Sequence, residues 1–311
     1  MTNSTQRFPI PLWLLLLVGI IAISFSAIFV RWSDAPVAVI AMYRLGLTTL
    51  LMLPFLWKRR HAIRLISRRD WLLLITSGTM LGLHFLFWMA SLRFTTVANS
   101  TAILTLEPIF VLFGACLFLK QSMRPLALAG MLTAIVGAAL IGWSDWALSG
   151  EAWIGDGLSL LGAVTVAVHM LLGKSLRTNL SAFIYSFFVF LSATFVLALY
   201  NLVTGARFTG YPPKEWGIFL LLAVVPTLFG HYLFNWSLKY MRPESVSMSV
   251  LGEPPGAALL AYLLLGEALT WLQAAAGAIL LLGVWLFLQS GDEKNASKTA
   301  TVDTAEVSES A

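Results

Sequence analysis

The sequence predicts an all-α integral membrane protein of ten transmembrane helices, arranged as two five-helix inverted repeats. Three observations lead to this fold class: the composition, the lengths of the apolar stretches and an internal duplication. Hydrophobic residues make up 59% of the 311 residues and charged residues 11%, whereas soluble domains average roughly 45–50% and ~25%. Soluble enzymes and nucleic-acid-binding proteins carry far more surface charge, so this composition argues against both classes.

Ten apolar stretches approach the length of a membrane-crossing helix, which needs roughly 20 residues. We place them at about 12–30, 36–56, 71–90, 96–119, 125–143, 154–172, 181–203, 216–238, 245–265 and 270–289. These stretches are too long for the strands of a β-barrel, and they show no alternation of polar and apolar residues. Residues 290–311 are small, polar and charged, so we expect them to form a disordered cytoplasmic tail.

The basic residues indicate how the chain is oriented. If the N-terminus is cytoplasmic, 15 of the 20 Lys and Arg residues fall in cytoplasmic segments and four in outer segments, and Arg44 inside the second helix completes the set. Such an excess on the cytoplasmic side is typical of membrane proteins. We therefore expect a multi-pass protein of the cell inner (plasma) membrane with both termini in the cytoplasm.

The second half of the chain repeats the first. A shift of 146 residues aligns residues 91–94 with 237–240 and one Glu-Pro dipeptide with another, and a shift of 143 aligns the first helices of the two halves. The repeats span 9–143 and 154–289. Because each repeat contains five helices, an odd number, the second copy crosses the membrane in the opposite direction. This arrangement is typical of secondary transporters, in which two similar halves exchange conformations around a central site.

Several short motifs resemble the drug/metabolite transporter superfamily, EamA type. They are Leu106-Glu107-Pro108, Gly252-Glu253-Pro254, Leu265-Gly266-Glu267-Ala268-Leu269 and one glycine in the last helix of each half, Gly137 and Gly283. The resemblance covers about 9–289, and it implies efflux of metabolites, amino acids or drugs, driven by an ion gradient. The first half departs from the pattern, because Lys120-Gln121 stands where the second half has Gly266-Glu267.

We therefore expect a secondary active transporter, not an enzyme, that exports small metabolites, amino acids or drugs across the cytoplasmic membrane by alternating access. The alternative is an intramembrane enzyme or a receptor-like membrane protein without transport activity. The chain has no Gly-x-Ser-x-Gly or His-Glu-x-x-His motif, which argues against the common hydrolase sites. The expected partners are the lipid bilayer, a small-molecule substrate and protons as the coupling ion. A homodimer is an open alternative, and no cofactor, metal or nucleic acid is expected.

Arg44 is the first candidate for the substrate site. It lies about eight residues into the second predicted helix, where a charge costs ~2.5–3.5 kcal/mol on insertion scales. One interpretation is that Arg44 anchors a carboxylate or phosphate of the cargo. The other is that it forms a structural ion pair or reaches toward the outer face. Its sequence neighbour Tyr43 is also a cavity candidate, although it lies about 100° away around the helix.

Two helices carry histidines with a second polar or aromatic side chain one turn later. His84 is followed by Trp88, and His231 is followed by Asn235. Residues four apart share one helix face, so each pair is a candidate to line a cavity for an organic solute. The alternative for an isolated histidine is a hydrogen bond between helices. None of the intramembrane histidines has a second metal ligand at this spacing, so a metal site is not expected.

The two aligned dipeptides, Glu107-Pro108 and Glu253-Pro254, lie near the middle of their helices. Proline removes a backbone donor and clashes with the preceding turn, so a kink is expected at each. One interpretation is that a protonated glutamate repairs the hydrogen bonding of the kink. The other is that the carboxylate exchanges protons or contacts the cargo at a moving hinge.

Overall fold

The structure, a computed structural model, is entirely helical over the residues that it describes, apart from turns. These residues are 12–64, 66–119, 125–148, 151–241, 243, 246, 250–283 and 285–286. The helices are α1 Leu12–Trp32, α2 Val37–Leu56, α3 Arg60–Ile63, α4 Arg68–Ser91, α5 Val97–Leu104, α6 Glu107–Leu119, α7 Pro125–Leu148, α8 Ala152–Leu176, α9 Ala182–Val203, α10 Pro213–Leu222, α11 Tyr232–Ser237, α12 Glu253–Leu265 and α13 Trp271–Gly283. The tail at 290–311 lies outside the described residues.

The described residues contain seven helical segments that are long and apolar enough to cross a membrane. They are Leu14–Trp32, Val37–Arg59, Arg68–Ser91, Val97–Gly114, Ala152–Leu176, Ala182–Val203 and Pro213–Ser237. Shorter apolar helices occur at Leu128–Leu140, Glu253–Leu265 and Trp271–Gly283. The prediction of an all-α membrane protein is thereby confirmed, and the count of ten spans stays a prediction.

The outer surface of the helical bundle is covered by large apolar side chains. Phe195 is 71% exposed, Leu202 65% and Phe55 57%. A soluble monomer rarely exposes large contiguous apolar patches. In a bilayer the same side chains contact acyl chains, so the surface fits a protein embedded in lipid.

The contacts between helices follow the internal duplication. α1 of the first half packs against two elements of the second half, the segment at 223–231 and α12. α8 of the second half packs against α4, α5 and α6 of the first half. Under a shift of about 145 residues, α1 corresponds to α8 and the partners of one correspond to the partners of the other. α2 also packs against α9, and α5 packs against α12.

Two glycines let α7 and α13 cross with their backbones in contact. A Cβ atom added at Gly137 would collide with the backbone of Leu280, and one added at Gly283 would collide with the backbone of Ala134. The shift of 146 residues relates these two contacts to each other. Small residues of this kind are typical where membrane helices approach closely.

The two Glu-Pro dipeptides begin new helices rather than bending continuous ones. α5 ends at Leu104, the turn Thr105–Leu106 follows, and α6 begins at Glu107. In the second half, a 3-10 turn at Val250–Gly252 precedes α12, which begins at Glu253. Each expected kink is therefore an interruption of the α-helix by a short turn. The physical reason is that proline fits the first turn of a helix, where a missing N–H removes no internal hydrogen bond.

The eighth predicted span is also irregular. Ala223–His231 forms a π-helix between α10 and α11, and it contains Pro226. The hydroxyl of Thr227 donates to the carbonyl of Leu222, five residues earlier, at 2.7 Å. Insertions of this kind are common at functional sites, and this one faces the cavity described next.

Candidate functional site

A small buried cavity lies where the two helix breaks meet. Its volume is about 30 Å³, which is room for one or two water molecules. The helices therefore close around it in this conformation. Its wall combines carboxyl groups, imidazoles and larger aromatic rings, contributed by Glu107, Glu253, His84, His231, Phe85, Trp88 and Phe234.

Two carboxyl groups, one from each half of the chain, share this cavity. Glu107 is 4% exposed and Glu253 is 7% exposed, and each begins a helix whose N-terminal dipole favours negative charge. Glu253 interacts electrostatically with both Glu107 and Arg44. The two glutamates also line a second cavity of about 10 Å³ beside the first. Two buried carboxylates repel each other, so a proton or another cation between them stabilises the pair.

Arg44 is fully buried and connects three helical segments. Its Nε donates to the hydroxyl of Thr227 at 2.7 Å, and its Nη1 donates to the hydroxyl of Ser26 at 2.8 Å. Its guanidinium carbon lies 4.1 Å from the ring centre of Phe85, a cation–π contact. The third nitrogen, Nη2, is buried and has no hydrogen-bond partner among the described residues.

Arg44 lies one layer behind the cavity wall. It is not itself a lining residue, but two of its partners, Ser26 and Phe85, are. Tyr43 lies farther away, because its hydroxyl donates to the carbonyl of Phe208 and its ring stacks on Phe219 with centroids 5.0 Å apart.

The structure brings His84, Trp88 and His231 together in the cavity wall. His84 Nδ1 lies 3.0 Å from the carbonyl oxygen of Gly162, so Nδ1 carries the proton and Nε2 is left as an acceptor. The rings of His84 and Trp88 are parallel within 4°. The indole N–H of Trp88 is buried without a hydrogen-bond partner in the described parts of the chain. The ring of His231 lies 6.3 Å from that of His84.

Asn235 does not join this group, although it follows His231 by one turn. Its amide donates to the hydroxyl of Ser186 in α9 at 3.2 Å, and its side chain also interacts with His169. His169 in turn lies 2.9 Å from the hydroxyl of Ser77. Asn235 therefore belongs to a hydrogen-bond network between α4, α8, α9 and α11.

A charged cluster that was not among the candidate site residues lies at one end of the bundle. Arg31 forms a salt bridge of 2.8 Å with Glu267 and donates to the carbonyl of Thr95 at 3.0 Å. The other oxygen of Glu267 accepts from the backbone N–H of Val97 at 2.9 Å. Arg31 and Glu267 are 236 residues apart in sequence. The signal that could have found Arg31 is its alignment with Lys174 under the 143-residue shift.

Comparisons with known proteins agree with this architecture. The EamA-like transporter family matches residues 10–143 and again 153–289. An uncharacterized transporter from Synechocystis sp. is 28% identical over 82% of this chain and 76% of its own length. An uncharacterized transporter from Archaeoglobus fulgidus is 26% identical over 83% of this chain and 89% of its own length. The biotin transporter of Escherichia coli is 24% identical over 63% of this chain and 64% of its own length.

A solved crystal structure has a similar fold. It is 17% identical to this chain, covers 88% of it and 95% of its own chain, and superimposes with a TM-score of 0.66. The family predicted from the Glu-Pro and Leu-Gly-Glu-Ala-Leu motifs is confirmed by the double family match. The chain therefore belongs to the EamA-like transporter family of the drug/metabolite transporter superfamily.

Proposed function

We propose that this protein is a secondary active transporter that exports a small metabolite, amino acid or drug by alternating access. One observation carries the proposal: two helix starts from the two halves place Glu107 and Glu253 on the same closed cavity. Helices broken at mid-membrane around a central site are the usual architecture of such transporters. The relatives named as transporters support the same activity.

The inverted relation of the two halves is part of the proposal. It is supported by the two family matches and by helix contacts that exchange under the internal shift. Two similar halves of opposite orientation have two equivalent arrangements. Exchange between these arrangements opens the central cavity first to one side of the membrane and then to the other.

Glu253 is the proposed coupling residue, with Glu107 and Arg44 as its charged neighbours. If both glutamates are ionised, two negative charges face one fixed positive charge in a dry environment. One additional positive charge, either a proton or a cationic group of the cargo, restores the balance. Binding of a proton then favours release of the cationic cargo, and binding of the cargo favours release of the proton. Exchange of cargo against protons requires this competition.

The cavity wall favours a solute with a planar ring and a protonated amine. The rings of Phe85, Trp88 and His84 offer apolar faces, and the carboxyl groups accept hydrogen bonds from an ammonium. A carboxylate on the same solute would bind the Nη2 group of Arg44, which has no hydrogen-bond partner among the described residues. Biotin also belongs among the test solutes, because relatives at 24% identity are named as biotin transporters.

The proposal is tested by identifying the cargo. Cells that overexpress the protein are compared with deletion cells by untargeted metabolite analysis of the medium. Candidates are then tested in vesicles containing the purified protein, with biotin and aromatic amines included. We expect at least one solute to accumulate in the medium only with the wild-type protein and not with Arg44→Gln. If no solute distinguishes cells with the wild-type protein from deletion cells, the transport proposal is wrong; if a solute is exported equally by Arg44→Gln, only the role of Arg44 is wrong.

The orientation is a further part of the proposal: an inner-membrane protein with both termini in the cytoplasm, supported by the distribution of basic residues. We expect a reporter that is active only outside the cytoplasm to be silent when fused after Ser290. The same reporter should be active in the exposed loop at Gly205–Gly210 and silent in the loop at Thr178–Asn179. These two loops lie at opposite ends of the bundle. Activity after Ser290 would show that the helix count is wrong.

A further inference from the structure

We propose that Arg31 and Glu267 form a gate that closes the central cavity at one end of the bundle. This inference rests on the proposed alternating access. It assigns a role in that process to residues that do not line the cavity. We call the cluster of Arg31, Glu267, Thr95 and Val97 the Arg31 gate. Under the proposed orientation, this gate faces the outside of the cell.

The Arg31 gate joins three separate parts of the fold. Arg31 is at the end of α1, Thr95 is in the turn before α5 and Val97 is the first residue of α5, and Glu267 follows the end of α12. Gly266, with a φ of 70°, ends α12 in the left-handed conformation that allows a helix to stop abruptly. Each oxygen of the Glu267 carboxylate has its own donor, Arg31 or Val97. Movement of any one of the three parts therefore breaks a charged hydrogen bond.

The gate and the cavity wall are formed by the same helices. α1 contributes Ser26 to the cavity wall, and Arg31 lies five residues later, about 7.5 Å farther along the helix axis. α5 leads from Val97 in the gate to Leu104 in the wall, and α12 begins at Glu253 in the wall. α1 and α5 both pack against α12, so the gate joins three elements that also meet at the cavity. A solute leaving on this side must separate the helices that the gate holds together.

The opposite end of the bundle carries a matching contact. Lys174 donates to the carbonyl oxygens of Met241 at 2.9 Å and Leu238 at 3.1 Å. Lys174 aligns with Arg31 under the shift of 143, and Met241 aligns with Thr95 under the shift of 146. Both contacts are formed in this structure, which agrees with the closed cavity of about 30 Å³.

The two ends nevertheless differ in charge. The position that aligns with Glu267 is Gln121, which has no charge and lies outside the described residues. The Arg31 gate therefore depends on an ion pair whose side chains are only 28% and 22% exposed, so water screens it less than a surface pair. Neutralising either charge should open this end specifically.

The gate is tested by the accessibility of a cysteine in the cavity. The only native cysteine, Cys116, is replaced by alanine, and Val166 in the cavity wall is replaced by cysteine. A membrane-impermeant, positively charged methanethiosulfonate reagent is added to intact cells. We expect Glu267→Gln and Arg31→Gln each to raise the modification rate by about 10-fold, because each removes a charged hydrogen bond. Glu267→Asp, which keeps the charge, should have a smaller effect.

Lys214→Gln is the matched control. It removes an ion pair with Asp34 at the same end of the bundle, but the two side chains of this pair are 58% and 87% exposed. We expect no change in the modification rate, because such exposed pairs contribute little. Size-exclusion chromatography of each variant checks that it is folded.

Inside-out vesicles separate failure of the gate from failure of the proposed function. Suppose that the Val166→Cys protein with an intact gate reacts from both sides. If adding Glu267→Gln or Arg31→Gln then changes its modification rate by less than two-fold, the gate proposal is wrong. If the cysteine reacts from neither side in any folded variant, although it reacts after denaturation, alternating access itself is wrong and the gate with it. If Glu267→Gln does not fold, Arg31→Gln and Glu267→Asp decide the question by the same comparison.

Discussion

Replacement of Arg44 by glutamine is expected to reduce transport by about 100-fold or more, because two charged hydrogen bonds of ~1.5–3 kcal/mol each are lost. Those bonds, to Ser26 and Thr227, join α2 to α1 and to the π-helix. The variant also removes the fixed positive charge that interacts with Glu253. Folding and membrane insertion should be largely preserved, since a glutamine is less costly to bury than an arginine.

Two further variants identify which property of Arg44 matters. Arg44→Lys keeps the charge but not the planar fork of donors, so we expect a large loss of transport for zwitterionic cargo and a smaller loss for cationic cargo. Thr227→Val keeps the charge and removes one acceptor, so its effect should be intermediate. Initial transport rates in vesicles and melting temperatures in detergent are measured together. If Arg44→Lys transports like the wild type, the two-point hydrogen bonding is unimportant. If Arg44→Lys and Arg44→Gln both fail to fold, Arg44 has only a structural role.

Replacement of Glu253 by glutamine is expected to abolish the effect of a pH gradient on transport. Glutamine keeps the shape and hydrogen bonding of a protonated carboxyl group but cannot release a proton. Glu253 is the stronger candidate of the two glutamates because it interacts with both Arg44 and Glu107. Glu107→Gln should lower the rate and retain part of the pH dependence. Transport by both variants is measured against pH in reconstituted vesicles.

A third buried carboxyl group provides the matched control. Glu215 is 2% exposed, but it lies at the end of the bundle, where it accepts from the hydroxyl of Ser33 and the backbone N–H of Asp34. Glu215→Gln should therefore leave the pH dependence of transport unchanged. If Glu107→Gln and Glu253→Gln both keep wild-type rates and pH dependence, neither carboxyl group carries protons. Their role would then be limited to starting α6 and α12.

The helical fold and the family were predictable because they depend on local properties of the chain. The lengths of the apolar stretches and the duplicated Glu-Pro dipeptides are visible without any tertiary information. The placement of individual side chains was not predictable to the same degree. Arg44 packs against the ring of Phe85 and Tyr43 donates a hydrogen bond to Phe208, and both outcomes depend on contacts between distant parts of the chain.

Two further features could not be predicted from sequence patterns. A proline inside an apolar stretch predicts a disturbance, but not whether the helix bends, breaks or widens; the structure has breaks before Pro108 and Pro254 and a π-helix around Pro226. The choice depends on which neighbouring groups satisfy the freed backbone. The Arg31–Glu267 pair joins residues 236 positions apart, and no local periodicity reports such a contact.

The crossing of α7 and α13 has a consequence for the origin of the molecule. Gly137 contacts Leu280, and Gly283 contacts Ala134. Gly137 and Gly283 occupy the same position in the two repeats, as do Ala134 and Leu280, so the same contact occurs twice, once from each repeat. Such a contact is isologous, the kind that joins two identical subunits around a two-fold axis. A separate five-helix protein carrying one such glycine could pair with a second copy of itself through this surface. The fused chain therefore retains, as an internal contact, an interface of the type that a homodimeric ancestor would have needed.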